Sequence, residues 1–490
     1  MPILMVVNNP QDWPLHVPGV EVVAARAYLT ETAYANLRGA KVFNCCRSYR
    51  YQSVGYYVSL LAAARGHKPV PNLATIQDMK SPAIVRLTSE EIEELTQKSL
   101  ADIKSPGFQL SIYFGRNLAR KHDRLAGQLF KLFHAPFLRA HFENDPKEGW
   151  RLQKIGPISE REIPASHHPF VIEVATEYFA NRRFSVGRRE RSRYDLAILF
   201  DTRTPSPASD ETAVRRFIRA AENLGFHAET IGRDDFSSVG EYDALFIRDT
   251  TNVNHYTYRF AQRAHAEGLV VIDDPESILK CTNKVYLAEI LNRHNILAPK
   301  TLIVHKDNVG EIVPQLGLPC ILKAPDSSFS AGVKKADTEA EVAQLAEDML
   351  DKSDLVLAQA FVPTEFDWRI GIIDRRAIYA CKYFMARKHW QIIHRDEQQQ
   401  ARYGKWETLP IELAPPAVVR TALKAANLIG DGLYGVDLKQ VGKEVYVIEI
   451  NDNPSLDSGV EDQVLKNELY RRIMEVFLQR LERRRQGLER

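Results

Sequence analysis

The stretch GVDLKQVGKEVYVIEINDNPSLDSG, residues 435–459, decides how this chain is read. It reads as a β-hairpin: a first strand around Asp437, a turn at Gly442 and Lys443, and a second strand from Glu444 to Asn451. Side chains on a strand alternate between faces. Glu449 and Asn451 therefore share one face, and Tyr446, Ile448 and Ile450 take the other. With Asp437 on the first of these faces, two carboxylates and one amide converge. These are hard-oxygen ligands suited to Mg²⁺, which takes few protein ligands and completes its shell with phosphate oxygens and water. The turn Asp452-Asn453-Pro454-Ser455 follows at once and is placed to bring backbone N–H groups to a phosphate. An isolated D…E-x-N is more often a solvated acidic face. The metal reading therefore depends on whether the rest of the chain supplies a phosphate site.

Upstream, the parts of such a site occur in order. Asn283 and Lys284 lead a helix, KVYLAEILNRH. PCILKA is a strand that delivers Lys323 at its end, and the next residues, Ser327, Ser328, Ser330, Ala331 and Gly332, form a small-residue loop. The backbone of such a loop can approach a phosphate closely. LVLAQAFV (355–362) is a strand whose edge, at Gln359, Ala360, Phe361 and Val362, offers backbone groups to an adenine. Glu365 and Asp367 follow as candidates for ribose hydroxyls. DWRIGIID and AIYACKYF make a second hairpin around Asp374-Arg375-Arg376, and a helix runs from Pro415-Pro416 to Gly430. The piece QVLKNELYRRIMEVFLQRLERRRQ is a further amphipathic helix. Neither a GxxxxGK[ST] loop nor a kinase H-R-D…D-F-G set is present, which lowers the weight of the two commonest nucleotide-binding alternatives.

At 490 residues the chain is long enough for about three domains of roughly 150 residues each. A net charge of +2 favours no bulk nucleic-acid or membrane partner. The five cysteines, Cys45, Cys46, Cys281, Cys320 and Cys381, show no C-x-x-C pairing and sit in apolar runs. That pattern argues for a reducing compartment and against a zinc site, and with no leader-like N-terminus or long apolar run it points to the cytoplasm.

The first region, residues 1–181, opens with strands at 3–7, 20–25 and 41–45, then a helix from Ser53 that stops at Gly66 before a strand near Pro69. This is an α/β layer. The string Arg47, Tyr49, Arg50, Tyr51, Gln52 lies at the strand-to-helix junction, where an anion could meet a helix N-terminus; the competing reading is packed aromatics with snorkelling arginines. Residues 76–145 read as largely helical, with a capping box at Ser89, and His122, His134 and His141 are too scattered for a metal set. Residues 182–193 carry six arginines and read as a solvated linker. Residues 194–280 alternate strand and helix as a small parallel α/β domain, with strands at 194–201, 242–250 and 269–275. Arg248, Asp249, Thr250, Thr251 and Asn252 lie at its carboxyl edge, where such sheets bind ligands.

The ordered set over residues 194–490 resembles the ATP-grasp fold, an α+β module behind a small α/β domain, and within it the RimK-like ligases. The first 181 residues resemble the extra N-terminal domain of a RimK-like subgroup, a domain of unassigned role. The resemblance implies ATP bound by Lys284, Lys323, the 327–332 loop and the 359–362 hinge, with Asp367, or Glu365 beside it, on the ribose. It implies Mg²⁺, with Mn²⁺ as substitute, on Asp437, Glu449 and Asn451, and it implies self-association. The expected reaction is ATP-dependent joining of a carboxylate to an amine through an acyl-phosphate, adding an amino acid to a peptide, protein terminus or small metabolite. Where the family has an acceptor-side stretch of the form GDFRSN, this chain has CKYFMARKHWQIIHRD (381–396). Arg387 is the expected catalytic cation there, with Lys382 and Arg369 behind it. Two rivals remain at this point: a nucleotide-gated binding protein that makes no amide, and a phosphotransferase.

Overall fold

The computed structural model describes residues 2–13, 15, 17–37, 39–82, 84–85, 92–145, 149–181, 192–204, 207–326, 332–386, 390–395 and 401–486. The chain divides into two compact units, Met1–Arg191 with Phe236–Glu241, and Ser192–Asp235 with Tyr242–Arg490. Among the described residues no helix is long and apolar enough to cross a membrane.

In the first unit, strands β1 (Ile3–Val7), β2 (Glu21–Ala24), β3 (Lys41–Asn44) and β4 (Lys68–Val70) form a parallel sheet in the order β2-β1-β3-β4. The helix Val54–Ala64 starts where expected, because the Ser53 hydroxyl accepts from the Tyr56 N–H at 3.4 Å. It stops where the left-handed Gly66 (φ +68°) can be adopted without a Cβ clash. The string at the junction is structural in part: Tyr49 is buried, and Arg47 pairs with Glu160 at 3.3 Å. The helical reading of 76–145 fails. Among the described residues, Leu73–Asp78, Glu93–Leu100 and Asp123–Leu132 are the helices of six residues or more there. Strands β5 (Gly107–Tyr113), β6 (Phe137–Asp145) and β7 (Gly149–Pro157) form an antiparallel sheet. The helix Asp123–Leu132 buries Leu125, Ala126, Leu129 and Phe130 in one core with Leu110 and Ile112 of β5 and Leu138, Ala140 and Phe142 of β6. The apolar/polar alternation of FLRAHF suits a strand, and it follows directly on an amphipathic helix whose pattern masks it in the sequence. Ser89 and most of the 182–193 run lie outside the described residues.

The second unit begins with a parallel sheet, β8 (Tyr194–Leu199), β9 (Phe226–Ile231), β10 (Ala244–Ile247) and β11 (Val270–Ile272), in the order β11-β10-β8-β9. Strand β9 is an addition to the three strands expected here; it follows the helix Glu211–Asn223 after a short turn at Gly225. Then β12 (Thr301–Val304), β13 (Cys320–Lys323), β14 (Val333–Ala336) and β15 (Val356–Ala360) form an antiparallel sheet in the order β12-β15-β13-β14. Strands β16 (Phe366–Ile373) and β17 (Arg376–Phe384) form the second hairpin, closed through positive φ at Asp374 (47°) and Arg375 (62°). A short pair, β18 (Ile393–Arg395) and β19 (Ala401–Tyr403), precedes β20 (Trp406–Leu409). The opening hairpin is β21 (Leu433–Val441) and β22 (Glu444–Asn451), and the large sheet runs β20-β17-β16-β21-β22. One face of it buries Trp368, Ile370, Val436, Leu438, Val445, Val447 and Ile450 against the helices Lys284–Arg293 and Pro416–Ile429. The other face packs Ile373, Tyr379, Cys381 and Leu433 into a second core with residues of the small parallel sheet, and it carries Arg369 and Asp437 toward its far end.

Candidate active site

The register of the large sheet decides which side chains meet. Asp437 pairs directly with Glu449 and with Arg369, and Gly435 with Asn451. A bulge falls after Asp437, so that Leu438 pairs with Val447 and Ile448 is left over. A bulge lets two residues on one strand face one on the other and shifts the alternation. Val445 and Val447 therefore join Ile450 in the core, whereas Tyr446 and Ile448 are partly exposed. That corrects the face expected for Tyr446 and Ile448; Glu449, Asn451 and Asp437 still come together. Gly435 has no alternative at its position, because a Cβ there would lie 2.7 Å from the Pro454 ring.

The three oxygen-bearing residues sit in a net of ions. Arg369 donates from Nε and Nη2 to the two carboxylate oxygens of Asp437, at 2.7 and 2.8 Å. Lys284 pairs with Glu449 at 2.8 Å and is itself buried. The Asn451 amide donates to Asp437 at 3.2 Å and to the Gly435 carbonyl at 3.3 Å. Burial would raise the Glu449 carboxyl, but Lys284, Lys323 and Arg369 overcome it and hold it below its usual range. A carboxylate kept ionised by three cations, with a second carboxylate and an amide oxygen beside it, fits a divalent cation that brings its own phosphate counter-ligands.

Lys323 closes β13, and burial with Lys284 and Lys439 nearby pushes its ammonium down to about 8. At about 8 the ammonium still carries its charge at neutral pH, and a nearby polyanion would favour the charged form further. Lys439, two residues from Asp437 on the same strand, holds Asp367 at 2.5 Å, and Thr364 donates to the same oxygen at 3.0 Å. Asp367 is thus engaged and 9% exposed, while Glu365 is exposed with its carbonyl accepting from Met385. The hinge expectation changes in one respect. Strand β15 is not an edge: it lies between β12 and β13, with Gln359 opposite Thr301 and Ile321, and the Ala360 N–H is taken by the Lys300 carbonyl. Of the four hinge residues, Phe361 and Val362 lie beyond the end of the strand. Gly332 closes the stem of its loop, its carbonyl accepting from Ala324 at 2.8 Å. Ser327, Ser328, Ser330, Ala331 and Arg387 lie outside the described residues.

Lys382 is not part of this face. It stands opposite Trp368, one residue out of phase with Arg369, and its ammonium pairs with Glu407 at 2.9 Å over the Phe366 and Trp368 rings. The neighbouring residue that does reach the site is Tyr383, whose ring lies 5.1 Å from the Arg369 guanidinium. Its hydroxyl donates to Glu461, which also accepts from the Asp457 N–H at 2.7 Å. Burial pushes Glu461 and Asp452 each up to about 7. Strand alternation from Asp437 could have found Lys439. Tyr383 needed the register of β17 on β16, and Glu461 needed the path of the chain after Pro454.

Two cavities meet at Lys284. One, of about 310 Å³, is lined by Lys323, Leu357, Gln359, Ile303 and Ile448. The other, of about 420 Å³, is lined by Arg369, Asp437, Glu449, Asn451, Tyr383 and the turn through Ser455.

Residues 25–174 match the family described as the RimK-like ATPgrasp N-terminal domain, and residues 281–476 match the RimK-like ATP-grasp domain. A "Probable alpha-L-glutamate ligase" of Marinomonas sp. (strain MWYL1) is 22% identical over 274 residues, which span 52% of this chain and 88% of that protein. The "Alpha-aminoadipate--LysW ligase LysX" of Saccharolobus solfataricus is 27% identical over 266 residues, spanning 50% of this chain and 90% of its own. Among solved structures, a RimK domain ATP-grasp protein from Sphaerobacter thermophilus DSM 20745 aligns with a TM-score of 0.44 at 14% identity, over 57% of this chain and 98% of its own.

Proposed function

This chain belongs to the RimK-like ATP-grasp ligases, enzymes that join a carboxylate to an amine, and from that premise we propose how its own residues divide the work. The observation that carries the reading is the convergence of Asp437, Glu449 and Asn451, with Lys284, Lys323 and Arg369, where two cavities adjoin. The smaller cavity takes the nucleoside, with Gln359 on its wall and Phe361 and Val362 beyond the strand end. The larger cavity takes the two substrates to be joined.

Asp437, Glu449 and Asn451 would hold Mg²⁺, or Mn²⁺ in its place, and the ion when bound supplies charge neutralisation for the phosphate oxygens. Lys323 and Lys284 add positive charge at the nucleotide side. A substrate carboxylate attacks the γ-phosphorus of ATP, forming a P–O bond as ADP leaves. The amine then attacks the acyl carbon, an amide forms, and inorganic phosphate departs with the bonding pair. Both steps pass through concentrated negative charge, so pre-positioned cations account for most of the catalysis. Arg369 is the described cation best placed to serve the acyl centre, since it lines the larger cavity and is held rigidly by Asp437. Arg387 keeps its place as the second candidate.

The two relatives are named for glutamate and for α-aminoadipate, so the transferred group here is proposed to be an amino acid, and the acceptor a peptide, protein terminus or small metabolite. Mass spectrometry of products after incubation with Mg-ATP and pooled amino acids, with and without a peptide acceptor, tests this. An ATP-dependent mass increase equal to an amino acid less water is expected. ADP release with no new amide would overturn the ligase reading.

A further inference from the structure

Strand β10 ends in a guanidinium that has no contact with water. Arg248 is 0% exposed, and burial pushes it down to about 10. An apolar side chain would fill such a place at less desolvation cost, so a buried arginine calls for an account of what its fork holds. It holds a turn. Nη1 donates to the Asn453 side-chain carbonyl at 2.7 Å, Nη2 donates to the Pro454 carbonyl at 2.8 Å and to the Ala208 carbonyl, and Nε donates to the Ser209 hydroxyl at 3.0 Å. Asn453 returns the contact, its amide N–H donating to the Asp249 carbonyl. Alongside, the Leu456 N–H donates to Ala208 at 2.9 Å, Ser209 donates to the Leu456 carbonyl at 2.8 Å, and the Asp210 N–H donates to Asp457 at 2.9 Å. The residue two before Asn453 is Asn451, and Pro454 packs over Gly435, which is opposite Asn451 in the sheet.

We infer that Arg248 is a positioning residue for the metal-bearing end of the hairpin, acting through Asn453. The inference rests on the proposed reading of Asp437, Glu449 and Asn451 as the cation site. The small parallel sheet then does more than border the substrate cavity: it sets the angle at which the chain leaves β22, and with it the approach of Asn451 to Asp437. Arginine is required because one planar fork must serve four acceptors on two segments, which a lysine ammonium with three donors on a flexible stem does not do. The side chain of Asn453 is equally constrained. Its oxygen must face Arg248 and its nitrogen the Asp249 carbonyl, so an aspartate there keeps the first contact and sets oxygen against oxygen at the second.

The test uses the full chain and Mn²⁺ as a paramagnetic probe. Free Mn²⁺ is read by electron paramagnetic resonance in the presence of ADP, and binding of a fluorescent ADP is read separately in metal-free buffer. In Arg248→Lys and Asn453→Asp, the Mn²⁺ dissociation constant rises by about 10–100-fold, the range seen when a group supporting a metal ligand is lost. Metal-free nucleotide binding and the circular-dichroism melt of Asn453→Asp stay close to those of the parent. A purely structural role would lower both nucleotide binding and the melt together and leave the metal step in proportion. Asn453 is only partly buried, so its variant reports even where Arg248→Lys does not fold. Unchanged Mn²⁺ affinity in the folded Asn453→Asp protein overturns the inference. Failure of the parent protein itself to bind Mn²⁺ with ADP instead overturns the assignment of the cation site.

Discussion

Glu461→Gln should make the protein more stable above neutral pH and leave it unchanged in mild acid. Glu461 is 1% exposed, accepts from the Tyr383 hydroxyl and the Asp457 N–H, and burial lifts it from the ordinary 4.5 to about 7. The folded chain thus binds this proton more tightly than the unfolded chain does. Folding takes up a proton between those two values, and stability falls as pH rises through the window. At about 1.36 kcal/mol per pH unit, the shift amounts to about 3 kcal/mol lost by about pH 8. Glutamine copies the neutral acid: its carbonyl accepts from Asp457 and its amide donates to the Tyr383 oxygen. Urea unfolding followed by tryptophan fluorescence at about pH 4, below both values, and at about pH 8 measures the difference. The two proteins should match at the lower pH, and the variant should lead by about 3 kcal/mol at the upper. Equal stability at both values would mean that Glu461 is ionised at little cost, and the buried Tyr383–Glu461 pair would need another explanation.

Glu449→Gln removes a carboxylate held ionised by three cations, and ADP formation should fall by at least on the order of 10²-fold with the fold retained. A coupled ADP assay beside a thermal melt reads this, and near-parental turnover would sink the cation assignment. Lys323→Met should weaken metal-free nucleotide binding by about 10–100-fold, the worth of one charge-assisted hydrogen bond; calorimetric titration with ADP would expose an unaffected site. Lys382→Met should leave turnover intact and shift stability by no more than about 1 kcal/mol, since Lys382 pairs with a half-exposed Glu407 on the opposite face. A large loss of turnover would return Lys382 to the catalytic group and contradict the strand register.

Local chemistry decided much of this protein, and the sequence alone determined those parts. The β21–β22 hairpin, its turn at Gly442 and the two-residue turn of the β16–β17 hairpin rest on contacts between near neighbours. The same holds for the Ser53 cap, the Asn283 cap before Lys284, and the helix Pro416–Ile429 with its stop at Gly430. The convergence of Asp437, Glu449 and Asn451 was legible because a short hairpin allows little choice of register. What distant strands do to one another was not legible. The bulge at Ile448 changes which valines are buried, and nothing within Glu444–Asn451 marks it; the packing of β21 on β16 and on two helices does. The phase of β17 on β16 put Tyr383 at the site and turned Lys382 away. The central place of β15 took up backbone groups that a lone strand would offer to a base. Strands β5 to β7 emerged from a stretch whose amphipathic pattern favours a helix as readily, because pairing across dozens of residues settles the outcome. Arg248 lay at a strand end in the sequence with no partner in view. Its four acceptors come from residues some 40 and some 205 positions away, and only the folded chain brings them to one fork.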